Sequence, residues 1–147
     1  MKIGIGNDHA GTQLKNVIKE HLITKGYEVV DFGVNTEEPA DYPKPAKEVG
    51  EAILRGEVEK GILICGTGIG ISIAANKVPG IRAALCAESY SARMAVEHTD
   101  AHIVAMGARI IGVEVAVDIV DTFLNAKFLG GKYQCRIDMV TELDKSK

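Results

Sequence analysis

The sequence predicts an α/β fold, a parallel five-stranded sheet with helices on both of its faces. Two observations predict it. Short apolar runs alternate along the whole chain with stretches of helical periodicity, the signature of repeated strand–helix units. The run GILIC at residues 61–65 is almost wholly apolar, as expected of a strand covered on both sides rather than one.

Residues 2–6 make the first strand, with Ile3 and Ile5 as its apolar pair. Leu14, Val17, Ile18 and Leu22 follow at helical spacing, and Gly26 stops that helix. Residues 28–32 are the second strand. Residues 41–54 read as a helix with Ala46, Val49 and Ile53 on one face. The third strand, 61–65, passes through a glycine-rich turn into a helix at residues 72–77. A fourth strand at 81–86, a helix at 89–97 and a fifth strand at 101–106 follow. Residues 112–125 form a long helix with Val113, Val117, Val120 and Leu124 inward, and a last short helix begins at Arg136. No repeat, low-complexity stretch or Pro/Ser-rich linker divides the chain, so residues 1–147 read as one domain.

The bulk numbers narrow the function. A chain of 147 residues is long enough to bury a real core, and 46% hydrophobic with 25% charged residues is the balance of a soluble globular protein. A net charge of −3 provides no general field for nucleic acid or an anionic membrane, so an anionic ligand must be held by a few placed cations. The start MKIGIGNDHAG reads as strand and turn rather than a signal peptide, and no apolar run approaches the ~20 residues of a membrane span. The expected compartment is the cytoplasm. Cys65, Cys86 and Cys135 are odd in number and widely spaced, with no Cys/His grouping suited to zinc, so they are expected as free thiols.

In parallel sheets of this kind ligands bind outside the carboxyl ends of the strands. The first candidate there is Cys65-Gly66-Thr67-Gly68-Ile69-Gly70, a thiol running into three glycines on alternate positions and then a helix. Glycines allow backbone conformations and close approaches denied to other residues, and successive N–H groups at a helix start favour a negative oxygen. A partly exposed thiol beside such a turn can act as base or nucleophile. The pattern is neither GxGxxG, which would need glycine where Ile71 stands, nor a P-loop. A buried structural cysteine is the competing reading, and for a lone cysteine the better one; the three glycines tilt the balance toward an anion-binding turn.

Asn7-Asp8-His9-Ala10-Gly11, after the first strand, offers a carboxylate and an imidazole for moving protons, or merely a helix cap and a surface histidine. A flavodoxin-like strand order would set this loop beside the Cys65 turn. His98 ends a helix, where a simple helix-end histidine is the default reading. His102 reads as structural and His21 as solvated. Arg109 follows the fifth strand, and Lys132 and Arg136 are spaced to share a face; either a phosphate dianion or plain solvent accounts for such cations.

Taken together, GNDHAG at 6–11, DYP at 41–43, ICGTGIGISIAANKVPGIRAALC at 64–86, SYSAR at 89–93, EH at 97–98 and GGKYQCR at 130–136 resemble the B-type ribose-5-phosphate isomerases, in the family that also holds the galactose-6-phosphate isomerase subunits. The resemblance runs over nearly the whole chain, and its middle stretch is highly specific. It implies a Rossmann-like three-layer α/β/α sandwich and a homodimer with active sites at the subunit interface, with pairing into tetramers left open. It implies interconversion of ribose 5-phosphate and ribulose 5-phosphate, with no metal and no organic cofactor. Carried onto this chain, it makes Cys65 the base at C2 of the open-chain sugar and Asp8 a helper in proton movement. His98 with Thr67 opens the ring. The N–H groups of Gly66, Gly68, Ile69 and Gly70 hold the enediolate oxygen. His9, Arg109, Lys132 and Arg136 contact the phosphate, with Tyr42 near the sugar.

Three positions depart from the family pattern. Thr99 stands where asparagine is frequent, and GGKY replaces GGRH, bringing Lys132 and Tyr133. Lysine keeps the charge without the bidentate fork, and tyrosine brings a hydroxyl without charge. These changes fall on the phosphate and sugar-hydroxyl end, which keeps a hexose such as allose 6-phosphate in play as substrate. Cys65 and His98 argue against the galactose-6-phosphate subunits. A non-catalytic sugar-phosphate-binding module competes with the enzyme, and a flavin or nucleotide protein competes more weakly because the fingerprint motifs are missing.

Overall fold

The computed structural model describes residues 1–146. Five strands, β1 (Lys2–Asn7), β2 (Glu28–Asp31), β3 (Lys60–Cys65), β4 (Ala83–Leu85) and β5 (Ile103–Gly107), form one sheet in the order β2-β1-β3-β5-β4. Every pairing is parallel. Strands β1 and β3 are neighbours, as the site argument requires. A flavodoxin-like order, however, would put β4 beside β3, and here β5 takes that place. The physical reason lies in the residues: β5 (IVAMG) is buried at every position, whereas β4 is three residues long and part-exposed, fit only for an edge. The fourth strand is thus shorter than the predicted 81–86.

Among the described residues five helices cover the sheet, α1 (Thr12–Thr24), α2 (Pro43–Leu54), α3 (Ile69–Asn76), α4 (Ser89–Thr99) and α5 (Val113–Asn125), and α6 (Lys132–Glu142) packs on α4. Strand alternation sorts the core into two layers. Ile3, Ile5, Ile62 and Ile64 pack with Leu14, Ile18 and Leu22 of α1, Val96 of α4 and Ile119, Val120 and Phe123 of α5. On the other face Leu63 and Cys65 pack with Ala46 and Val49 of α2 and Ile71 and Ala75 of α3. The result is the three-layer sandwich.

Helix starts shift for local reasons. Pro43 and Pro45 open α2, because a missing N–H costs nothing in a first turn. Helix α3 begins directly after Gly68, at φ +79°, rather than at residue 72. Helix α6 begins at Lys132, four residues before Arg136, because Gly130 and Gly131 turn the chain at positive φ and release it straight into a helix.

Candidate active site

At the carboxyl edge the ends of β1, β3 and β5 are knotted together. The Asp8 N–H donates to Ile64 O (3.2 Å), Ala108 N–H to Cys65 O (2.9 Å) and Arg109 N–H to Gly66 O (3.0 Å). The Cys65 turn, the Asp8–His9 loop and Arg109 therefore share one place. Cys65 is 5% exposed, more enclosed than expected of a partly exposed thiol, because its side chain points into the α2–α3 layer. The Gly68 N–H donates to Cys65 Sγ at 3.1 Å, and the Ile69 N–H donates to Thr67 Oγ1 at 3.2 Å. Two of the turn's N–H groups are thus already engaged inside it. Gly68 must be glycine: beyond its positive φ, a Cβ there would lie 2.7 Å from the Met106 carbonyl carbon. Gly70 must be small for another reason, since a Cβ would sit 2.6 Å from the Tyr42 ring. Tyr42 is thereby seated on the turn.

Asp8 is buried and caps the short 3-10 turn His9–Gly11 by accepting from the Ala10 N–H (3.0 Å). The cap reading holds, and the same loop lies beside the Cys65 turn. Ala40 presents both its N–H (3.1 Å) and its C=O (3.3 Å) to His9 Nδ1; the shorter contact has Nδ1 accepting, which leaves Nε2–H free to donate. His9 and Arg109 line one cleft of about 500 Å³ between the starts of α1 and α5, with Gln13, Glu37 and Gly112. Gly112 caps α5 without a side chain, so that helix start also faces the cleft's rim.

The remaining predicted residues are elsewhere. Helix α4 leaves the carboxyl end of β4 and returns to the amino end of β5, so His98 and Thr99 lie at the amino edge. The contacts agree: Arg82, just before β4, donates to Thr99 O (2.8 Å) and Asp100 O (3.0 Å), and Lys60, first in β3, donates to Ala101 O (2.8 Å). With six residues in β3, the two edges are roughly 20 Å apart. Within one chain, His98 and Cys65 do not converge. Lys132 and Arg136 lie on α6, which packs beside His98 of α4: the His98 and Tyr133 rings stack at 4.3 Å, and the two cations lie 5.2 and 5.7 Å from the Tyr133 ring centre. Thr99, expected among the substrate contacts, donates its hydroxyl proton to Ala95 O within α4.

Other titratable groups are structural. His21 is part-exposed but not merely solvated, for its Nε2 meets Asp121 Oδ1 at 2.8 Å and joins α1 to α5. His102 accepts from the Arg82 N–H at Nδ1 (3.0 Å), and burial, with the nearby Arg82 and Lys60 charges, pushes its pKa down to about 4. Cys86 is core, and burial followed by the Glu88 charge pushes its thiol up to about 11. Cys135 is exposed on α6. Sequence reasoning missed Lys15, which is fully buried and donates to Asp31 (2.8 Å), Val34 O (2.9 Å) and Asn35 (2.6 Å). Its place three and seven residues before Ile18 and Leu22, inside the apolar stripe of α1, was the available signal. This node, together with Asn7, whose amide exchanges hydrogen bonds with Val34, ties the loop after β2 to the Asp8 end of β1.

Among the described residues no group of three or more His, Cys, Asp or Glu side chains is placed to hold a metal ion, and no helix is long and apolar enough to cross a membrane.

Comparison with known proteins gives a consistent match. The family model described as Ribose/Galactose Isomerase matches residues 3–140. The chain is 48% identical over 144 residues to ribose-5-phosphate isomerase B of Escherichia coli (strain K12), covering 98% of this chain and 97% of that one. It is 43% identical over 141 residues to a D-erythrulose-4-phosphate isomerase of Pectobacterium atrosepticum, covering 95% and 93%. The structure of Clostridium thermocellum ribose-5-phosphate isomerase B superposes with a TM-score of 0.98 at 55% identity, covering 99% of each chain.

Proposed function

The chain belongs to the ribose/galactose isomerase family, and from that premise we propose that it interconverts ribose 5-phosphate and ribulose 5-phosphate through an enediolate, with Cys65 as the base. The observation that carries this reading is the Cys65 turn, where a thiol, a glycine N–H aimed at its sulfur, the Asp8 carboxylate and Arg109 share the carboxyl edge of the sheet.

The chemistry needs a base at a carbon acid and a preorganised site for the oxygen that becomes negative. With the sugar open, the Cys65 thiolate takes the proton from C2. That C–H electron pair forms the C1=C2 bond, and the carbonyl pair moves onto O1. Asp8 passes the proton from O2 to O1. The Cys65 thiol then returns its proton to C1, and O2 becomes the ketose carbonyl. Each N–H donor to the enediolate contributes on the order of 10²–10³ in rate. Gly68 and Ile69 have N–H partners inside the turn, so Gly66 and Gly70 are the donors we assign to that oxygen, with Tyr42 as the wall over Gly70. His9 Nε2–H, Arg109 and the start of α5 hold the phosphate.

His98, with Thr67, opens the sugar ring, and Lys132 and Arg136 add phosphate charge. Because these α4 and α6 residues lie at the far edge of their own chain, the site we propose joins the carboxyl edge of one subunit to the His98 end of a second copy. The exposed apolar side chains Ile69, Leu85 and Ile110, which line one cleft beside the turn, support such a dimer. Thr99 can reach substrate there only as an acceptor. Three free thiols fit a reducing compartment, and we propose the cytoplasm.

The test is ketose formation from ribose 5-phosphate and, in parallel, allose 6-phosphate, with EDTA present, for wild type and Cys65→Ala. The expected result is rapid turnover of the pentose and a loss of roughly 10²–10⁴-fold or more in the variant, at unchanged melting temperature. Wild-type turnover by Cys65→Ala would remove the base. Preference for the hexose would keep the mechanism and move the substrate, with Lys132 and Tyr133 as the residues responsible.

A further inference from the structure

Three of the four histidines are oriented by a hydrogen bond: His9 to Ala40, His21 to Asp121 and His102 to the Arg82 N–H. His98 is not. Among the described residues neither of its ring nitrogens meets a partner, and its plane is set instead by the Tyr133 ring, 4.3 Å away and inclined by 10°. We propose that Tyr133 is a positioning residue for His98: by lying flat on the imidazole it fixes the ring plane while leaving both nitrogens to substrate. The proposal rests on the reading that His98 acts on the sugar ring.

The surrounding structure is built to hold this stack. The backbone beyond His98 is pinned by the Arg82 guanidinium at Thr99 O and Asp100 O, with Asp100 at φ +47°, the left-handed conformation that ends α4. The segment leading to Tyr133 is pinned to the same helix end by the Leu129 N–H on Glu97 O (3.1 Å), and the two positive-φ glycines then start α6 so that Tyr133 falls in its first turn. Lys132 and Arg136 flank the tyrosine ring in turn. A half-buried imidazole with no hydrogen bond would otherwise sample several rotamers, and a proton-transfer group out of line loses rate steeply. Stacking solves this without using a nitrogen, as a carbonyl or carboxylate partner would.

The test is a double-mutant cycle on the full-length protein with ribose 5-phosphate, using Tyr133→Leu, Tyr133→Phe, His98→Asn and the His98→Asn/Tyr133→Leu double variant, alongside proton NMR of the histidine rings. Tyr133→Leu is expected to lower kcat/KM by about three- to tenfold, the size of an aromatic pair, mainly through kcat. Tyr133→Phe should retain activity. In the His98→Asn background, Tyr133→Leu should cost nothing further. The His98 ring protons should carry an upfield ring-current shift in wild type and Tyr133→Phe that is lost in Tyr133→Leu. If Tyr133→Leu does not fold, Tyr133→Gln serves with the same expected outcomes. Full activity in the leucine variant, or a loss that adds to that of His98→Asn, overturns the proposal. A harmless His98→Asn, with the His98 ring-current shift present in wild type, would instead remove the role of His98, and the positioning role with it.

Discussion

His102 illustrates how one buried side chain ties stability to pH. Its Nδ1 accepts from the Arg82 N–H and so must be unprotonated in the native state. Burial first, then the Arg82 and Lys60 charges, lower its pKa to about 4. The unfolded chain takes up that proton near the ordinary value of about 6.5, so the contribution is full above that pH and is lost as pH falls toward the native value. The melting temperature should therefore decline between about pH 6.5 and 4, and His102→Asn, whose amide oxygen can replace the Nδ1 acceptor, should flatten that decline. A pH series of melting curves on both proteins decides it; superimposable slopes would mean that His102 is not the group responsible. Asp31 acts lower in the scale. Burial would raise its pKa, but the hydrogen bonds from Lys15 and the Gly33 N–H outweigh burial and hold the carboxyl below its usual range. Its contribution persists above the ordinary carboxylate range and disappears in stronger acid.

The Cys65–Gly70 turn is the element on which the site depends, and its glycines are required for different reasons. Gly68 is constrained by backbone: φ is +79°, and a Cβ would meet the Met106 main chain at 2.7 Å. At Gly70 the nearest obstacle is the Tyr42 ring, an exposed side chain that can swing away. Gly68→Ala should lower the melting temperature by several degrees and abolish turnover, since left-handed φ alone costs about 1–2 kcal/mol. Gly70→Ala should melt near wild type while raising KM, because it displaces Tyr42, the wall we propose for the sugar site. Equal melting losses in both variants would show that Tyr42 is held rigidly. Much of this element was legible in the chain. Alternating glycines after an apolar run announce a strand, a tight turn and a helix start. The seating of Tyr42 on Gly70 was not, because that contact joins segments almost thirty residues apart.

At the scale of the molecule, the decisive fact is that α4 runs antiparallel to the strands. It carries His98 to the edge of the sheet opposite the thiol of its own chain, a strand's length of roughly 20 Å away along the sheet. A site containing both therefore needs two subunits, and that can be tested by complementation. Cys65→Ala and His98→Asn are each expected to be inactive as homodimers. Co-expressed, they should form mixed dimers in which one site carries both defects and the other neither, giving about a quarter of wild-type activity if subunits pair at random. A mixture as inactive as its components would place the whole site within one chain.

Composition and apolar periodicity by themselves determined the α/β class, the number of strands and the position of the candidate loops at strand ends, because burial on both faces imposes a pattern that neighbouring residues reveal. The motifs also pointed to Cys65, Asp8 and the family. Only the tertiary structure decided that β5 rather than β4 lies beside β3, that His21 pairs with Asp121, that Lys15 is buried on Asp31, and that His98 stacks on Tyr133 away from Cys65. Each of these depends on contacts between segments far apart in sequence. Their free energy comes from side chains meeting across layers, and no local spacing encodes which distant partner a residue will meet.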